Sequence, residues 1–258
     1  MQLLKDKVIF LTGGSMGIGL ECAKKYRAEG AQLVIVANDL RSLGTAGELL
    51  GLDKEDCLYC DVSDPAAVQS AIQATILRYG RIDVIHNNAG IASPVCPLHE
   101  TNDEQWSNVF DVNVKSILLT TRYGIETLKQ NRGCILNTSS LVGEIGQDNH
   151  AAYAATKGAV NALTKSMALD YAPFHVRVNA VAPAGVWTDM LRNWVDAQDD
   201  GQSMTSYLDK IHPLGYCPEG DVIADACVFL ISAKASFITG CILPVSGGAE
   251  LGYRAIKK

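Results

Sequence analysis

The chain has no run of about 18 apolar residues of the kind that crosses a bilayer, and no basic stripe. Its net charge is −6 and its pI near 5.4, a balance that argues against nucleic acid or an anionic membrane as partner. Internal repeats and low-complexity linkers are missing too. The opening residues, Met1 to Lys7, run straight into a candidate strand and leave no room for a signal peptide, so a cytoplasmic location is expected. Eight cysteines are present, but a second C-x-x-C or paired-histidine motif that would complete a zinc set is not. The lone C-x-x-C, Cys57 and Cys60, falls in an apparent strand, where residues three apart point to opposite faces. Buried free thiols, with no metal, are the expectation. The five histidines are scattered: His86 is expected in the core, His99, His175 and His212 on loops or at the surface, and His150 near Tyr153.

What is present is an alternation of apolar strands and amphipathic helices. Strand candidates lie at about 7–12, 32–37, 56–60, 82–87, 133–139, 175–181 and 240–244. Alternation of this kind predicts a doubly wound α/β fold, a parallel sheet of about seven strands with helices on both faces and ligands beyond the carboxyl ends of the strands. With 258 residues, 48% of them hydrophobic, a single domain over 1–258 suffices.

Two local patterns carry chemistry. After the strand Val8-Ile9-Phe10-Leu11 comes Thr12-Gly13-Gly14-Ser15-Met16-Gly17-Ile18-Gly19, leading into an amphipathic helix. Glycines at 13, 17 and 19 permit a tight turn and close approach to a pyrophosphate, which the helix N-terminus favours. Further along, Tyr153 and Lys157 are four apart and so share a helix face, with Ser139 and Ser140 upstream at the end of an apolar strand. A lysine cation beside a phenol favours phenolate, and bringing a Tyr from its usual value of about 10 to neutrality asks for about 3 units. The serine would hold the alcohol oxygen that loses its proton.

Together these motifs resemble the short-chain dehydrogenase/reductase family over almost the whole chain. The resemblance implies a dinucleotide loop at Gly13, Ser15, Met16, Gly17, Ile18 and Gly19, an adenine-contacting pair at Asp61-Val62, and a strand-four signature at Asn87-Asn88-Ala89-Gly90. It also implies a catalytic tetrad of Asn113, Ser140, Tyr153 and Lys157, the last two touching cofactor as well. The stretch from Pro183 to Thr188 should close over the nicotinamide, with Pro183, Val186 and Thr188 in contact; Ala184 departs from the glycine common there. Residues 103–131 and 151–171 carry apolar residues beyond one helix face, as expected for a homodimer or homotetramer.

In NAD-using relatives the second strand ends in an acidic residue that accepts from the ribose 2′-hydroxyl. Here Asn38 and Asp39 occupy that turn. Neither Ser15-Met16 nor Asn38 brings a positive charge for a 2′-phosphate, although Arg41 is close, so NAD is expected and NADP remains possible. Alternatively, Asp39 merely caps the next helix. The polar loop Gly143 to Asn149 could grip hydroxyls, and residues 188–214 are expected to form a flap over the substrate. Predicted substrate contacts are Ser140, Gln147, His150, Tyr153, Trp187, Arg192 and Asn193, with Trp194 as a further stacking face. The stretches around Ser139–Gly143, Gly146-Gln147, Val186–Thr188 and Gly247–Tyr253 resemble the branch holding animal 17β-hydroxysteroid and L-fucose dehydrogenases, and Leu191–Trp194 resembles bacterial L-fucose dehydrogenases. The expected reaction is oxidation of a sugar such as L-fucose at C1 to the lactone. A hydroxysteroid or other secondary alcohol is the alternative, and a non-catalytic dinucleotide-binding protein a third reading.

Overall fold

A computed structural model describes residues 2–196 and 200–252; the side chains of residues 190, 194, 201 and 202 lie outside that description, as does Tyr253. In chain order the elements are β1 (Val8–Thr12), α1 (Gly17–Ala28), β2 (Gln32–Ala37), α2 (Leu40–Leu50), β3 (Cys57–Tyr59), α3 (Pro65–Tyr79) and β4 (Val84–Asn87). Then come α4 (Asp103–Phe110), a π-helical turn (Asp111–Lys115), α5 (Ser116–Asn131), β5 (Cys134–Thr138), α6 (Ala151–Tyr171) and β6 (Arg177–Pro183). The last are α7 (Asp189–Asp196), α8 (Gly201–Ile211), α9 (Asp221–Ile231) and β7 (Ile242–Val245). All strands pair in parallel in the order β3-β2-β1-β4-β5-β6-β7. The strand order reverses between β1 and β4, which opens a crevice at their carboxyl ends.

Burial on both faces explains why the strands read as continuous apolar runs. Ile9 and Leu11 pack with Leu33 and Ile35 against α1, α2 and α9, while Phe10, Val34 and Ile85 face α3, α5 and α6. Cys57 sits against the first of these cores and Cys60 is buried in the second, opposite sides of the sheet as the spacing predicts. All eight cysteines are free, five of them buried. β1, β2, β3 and β5 begin and end close to their predicted bounds; β4 starts two residues late, and so do β6 and β7. His175 at φ 58 and Gly240 at φ 74 hold left-handed turns just ahead of β6 and β7, and such a turn cannot begin a strand.

One histidine is corrected. His212, expected on a loop or at the surface, is 1% exposed. It ends α8 with its Nδ1–H donating to the Leu208 carbonyl at 2.7 Å, and Gly185 and Gly247 close over the ring so tightly that a Cβ at Gly185 would stand 3.2 Å, and one at Gly247 3.4 Å, from a ring carbon. No described helix is long and apolar enough to cross a membrane.

Candidate active site

A cavity of about 430 Å³ occupies the crevice, and its lining falls into three groups. The first is the turn from β1 to α1. Gly13 and Gly17 take left-handed φ values of 63° and 54°, which a side chain would strain, and a Cβ at Gly19 would collide with the Gly13 carbonyl oxygen. Asn88 props this turn from β4, its Nδ2 donating to the Thr12 and Gly13 carbonyls at 3.1 Å each, while Thr12 Oγ1 accepts from the Asn88 and Ala89 amides at 3.0 Å. The twelve-residue α1 has no side-chain cap at Met16. Its first amides are therefore unclaimed beside a glycine cradle, the arrangement that suits a pyrophosphate.

The second group lies beyond β2 and β3: Asn38, Asp39, Ser42, Asp61 and Val62. Asp39 Oδ1 accepts from the Ser42 amide at 2.7 Å and caps α2; this bond, with help from the Ser42 hydroxyl, holds the carboxyl below the usual carboxylate range. Capping is thus real, and the residue lines the cavity as well. Ser42 also meets Ser15, Oγ to Oγ, at 3.1 Å.

The third group is the reactive end, with Ser140, Tyr153 and Lys157 all on the lining. The Ser140 hydroxyl, which accepts from the Val142 amide at 3.4 Å, lies near enough to act on the Tyr153 phenol. Lys157 is 5% exposed; its Nζ lies 5.6 Å from the Tyr153 ring centre and donates to the Thr138 carbonyl at 2.8 Å. Burial brings this lysine down to about 8 and pushes the Tyr153 phenol up, with the Ser140 hydroxyl acting the other way on the phenol. In the free protein, burial therefore works against the phenolate that a neighbouring lysine cation favours. One water-poor pocket penalises both charged forms, and helical spacing reports adjacency but not desolvation.

Asn113 stands behind the lining, in the π-helical turn, where one extra residue turns it off the regular helix face. Its Oδ1 accepts from the Ile91 amide at 2.8 Å, and its Nδ2 donates to the Ile91 carbonyl at 2.9 Å and to Thr156 Oγ1 at 3.0 Å. This ties the loop after β4 to α6; a Cβ at Gly90 would stand 3.2 Å from Asn113 Oδ1 and 3.6 Å from Lys157 Nζ.

Every predicted cofactor residue but one therefore meets in the cavity, including Ile18, Ala89, Pro183 and Thr188; Val186 is buried behind it. The predicted substrate contacts divide differently. His150 sets its ring edge-on to Tyr153 at 6.5 Å, its Nδ1–H given to the Asp148 carbonyl. Gln147 and Asn193 are exposed and off the lining. Arg192 is also withdrawn: it donates to Glu219 at 2.5 Å and its guanidinium lies 5.2 Å above the Trp187 ring, so the two predicted contacts satisfy each other. A long cation on an exposed helix takes the nearest carboxylate, which the local sequence does not reveal. Reasoning from motifs passed over Ser42, Ile91, Ala92, Val112 and Thr138, which line the cavity too; Asp189, expected on the flap, also reaches it.

Residues 13–250 match the family described as enoyl-(acyl carrier protein) reductase. The chain is 38% identical to an L-fucose dehydrogenase of Bos taurus over 248 residues, spanning 96% of this chain and 90% of that protein. The ligand-free aldohexose dehydrogenase of Thermoplasma acidophilum superimposes with a TM-score of 0.90 at 33% identity, covering 100% of this chain and 99% of the other. A 3-ketoacyl-(acyl-carrier-protein) reductase from Brucella melitensis, complexed with NADH, gives a TM-score of 0.86 at 31% identity, with 95% and 99% covered.

Proposed function

Because the chain belongs to the short-chain dehydrogenase/reductase family, and so is an NAD(P)-dependent oxidoreductase acting on alcohols, we propose that it oxidises a sugar, an L-fucose-like pyranose at C1, with NAD. The observation that carries the chemistry is the meeting of Ser140, Tyr153 and buried Lys157 at one end of a glycine-floored cavity. Similarity to an L-fucose dehydrogenase and an aldohexose dehydrogenase supports the sugar. The polar loop 143–149 adds less than its composition promises, since from Glu144 onward it is exposed.

In this reading the glycine turn and the start of α1 seat the pyrophosphate, Asp61 and Val62 flank the adenine, Asp39 meets the adenosine ribose, and Pro183 to Thr188 cover the nicotinamide. Bound there, the cofactor supplies the hydride acceptor. Ser140 Oγ holds the alcohol oxygen by a hydrogen bond that persists as charge builds on it. Tyr153 Oη takes the hydroxyl proton as general base. Lys157 holds the nicotinamide ribose and, while charged, favours the tyrosinate. Asn113 fixes the loop against which Lys157 packs. The described part of the stretch 188–214, with α7 and α8, forms the flap; residues 197–199 of it lie outside the described residues.

Initial rates with NAD and a panel of aldoses, deoxy sugars, cyclitols and 17β-hydroxysteroids test the assignment; L-fucose or a close relative is expected to lead. Steroid turnover with no sugar oxidised overturns it.

Asp39 supports NAD, because a carboxylate at that rim repels a 2′-phosphate. Asp39→Asn keeps a side-chain oxygen for the Ser42 amide and removes only the charge. It is expected to narrow the preference for NAD over NADP by about tenfold, read as the ratio of kcat/KM for the two cofactors; an unchanged ratio refutes the role. A homodimer or homotetramer is proposed on the exposed Leu118 of α5 and Leu169 of α6, and light scattering should return a mass above one chain.

A further inference from the structure

His86 plays no part in the chemistry proposed above, yet it lies in the middle of the sheet. It is fully buried on β4 between Ile85 and Asn87, and both of its ring nitrogens have partners. Nδ1 is 3.0 Å from the Tyr26 hydroxyl on α1, and Nε2 is 3.0 Å from Thr138 Oγ1 at the end of β5. Burial drops the imidazole to about 3, so the ring is neutral and carries one proton.

The position of that proton follows from the far end of the chain of bonds. Asn88 Nδ2 faces two carbonyls, those of Thr12 and Gly13, and must donate to both, which fixes the amide and turns Oδ1 toward Thr138. A carbonyl oxygen only accepts, so Thr138 Oγ1–H donates to Asn88 Oδ1, at 3.2 Å. With its proton committed, Thr138 Oγ1 accepts from His86, and the imidazole proton is on Nε2. Nδ1 is then bare and accepts from Tyr26 O–H. Every hydrogen bond in this path points the same way, from α1 through β4 and β5 to the glycine turn.

Both ends of the cofactor cavity hang on this path. Asn88 grips the Gly13 carbonyl, against which Gly19 packs with no room for a Cβ. Thr138 presents its own carbonyl to Lys157 Nζ. We infer that His86 is a positioning residue for cofactor binding, which through this one-way hydrogen-bond path locks the Lys157 anchor on Thr138 into register with the glycine turn. The inference rests on the reading of Lys157 and the glycine turn as the two grips on the dinucleotide.

A glutamine amide offers an acceptor oxygen and a donor nitrogen on one carbon, as the imidazole offers Nδ1 and Nε2–H, so His86→Gln keeps the direction of the path. His86→Leu keeps bulk and removes both bonds. Titration with NADH alone, followed by its fluorescence, is expected to give a dissociation constant about tenfold higher for His86→Leu and within about threefold of wild type for His86→Gln. In steady state the same split appears as a raised KM for NAD with the KM for the alcohol unchanged, which a general loss of packing would not produce. In wild-type protein carrying ¹⁵N-histidine, the His86 signals should report a single Nε2–H tautomer. An Nδ1–H tautomer overturns the inference, as does wild-type NADH affinity in His86→Leu or equal weakening in both variants. If His86→Leu does not fold, the tautomer and His86→Gln decide. Each of these results leaves the dehydrogenase reading standing, whereas a wild-type protein that binds no NADH defeats that reading and this inference together.

Discussion

Tyr153→Phe lowers kcat by about 10²- to 10⁴-fold, the range that loss of a general base produces, while NADH affinity stays close to wild type. The variant keeps the ring and removes one oxygen, the phenol hydroxyl that faces the cavity with Ser140. Of the titratable side chains beside it, Lys157 is held by the Thr138 carbonyl, and His150 stands off the cavity lining with its ring edge-on to Tyr153 at 6.5 Å. Steady-state rates on the best substrate of the panel, set beside NADH titrations, check the split. A loss of only about 30-fold or less, well short of what removal of a general base produces, sinks the assignment of Tyr153 as base.

Lys157→Met should abolish most turnover, weaken the cofactor, and nevertheless stabilise the free protein. The lysine's value falls from 10.5 to about 8 on folding because its charge is buried. The sign is that of a depressed base: below about 8 both folded and unfolded chains hold the proton, and folding bears the whole cost of burying it. Between about 8 and 10.5 the unfolded chain still binds a proton that the folded one has released, so this contribution to stability rises with pH and the cost is gone above 10.5. Methionine fills similar volume without charge and is expected to gain about 1–3 kcal/mol at neutral pH, the bond to Thr138 being lost in exchange. Urea unfolding of cofactor-free protein at neutral and alkaline pH provides the measurement. A variant less stable than wild type at neutral pH, or a stability difference between variant and wild type that does not shrink as pH rises through that window, contradicts the account.

How much of this could be read beforehand depended on whether the signal was local. The strands of the sheet are apolar runs because both faces are covered, so each announced itself without reference to the others. The glycine turn and the Tyr153–Lys157 pair are likewise contained within one turn of chain. Thr138 was illegible for the opposite reason: it holds Lys157 through a backbone carbonyl that any residue possesses, and its hydroxyl bonds to His86 and Asn88 on another strand and its following loop. Ile91, Ala92 and Val112 line the cavity with side chains that carry no chemical mark. His212 was misplaced because what buries it, Gly185 and Gly247, comes from two distant loops. The withdrawal of Arg192 and Trp187 depends on Glu219, a partner 27 residues along. Desolvation at Lys157 is a property of the assembled pocket and has no counterpart in spacing.

The parallel topology has a kinetic consequence. No strand in this sheet pairs with a neighbour through a hairpin, and the crevice floor is the carboxyl end of the β1–β4 seam, where Leu11 lies beside His86. That seam cannot close until the intervening helices have turned back over the sheet, so its loop-closure entropy must be met before the contact rewards it. Refolding from urea is expected to be slow, with secondary structure regained well before the capacity to bind NADH. Cofactor added to the refolding buffer should then deepen the final state without hastening its arrival, because the pocket it needs is among the last things made.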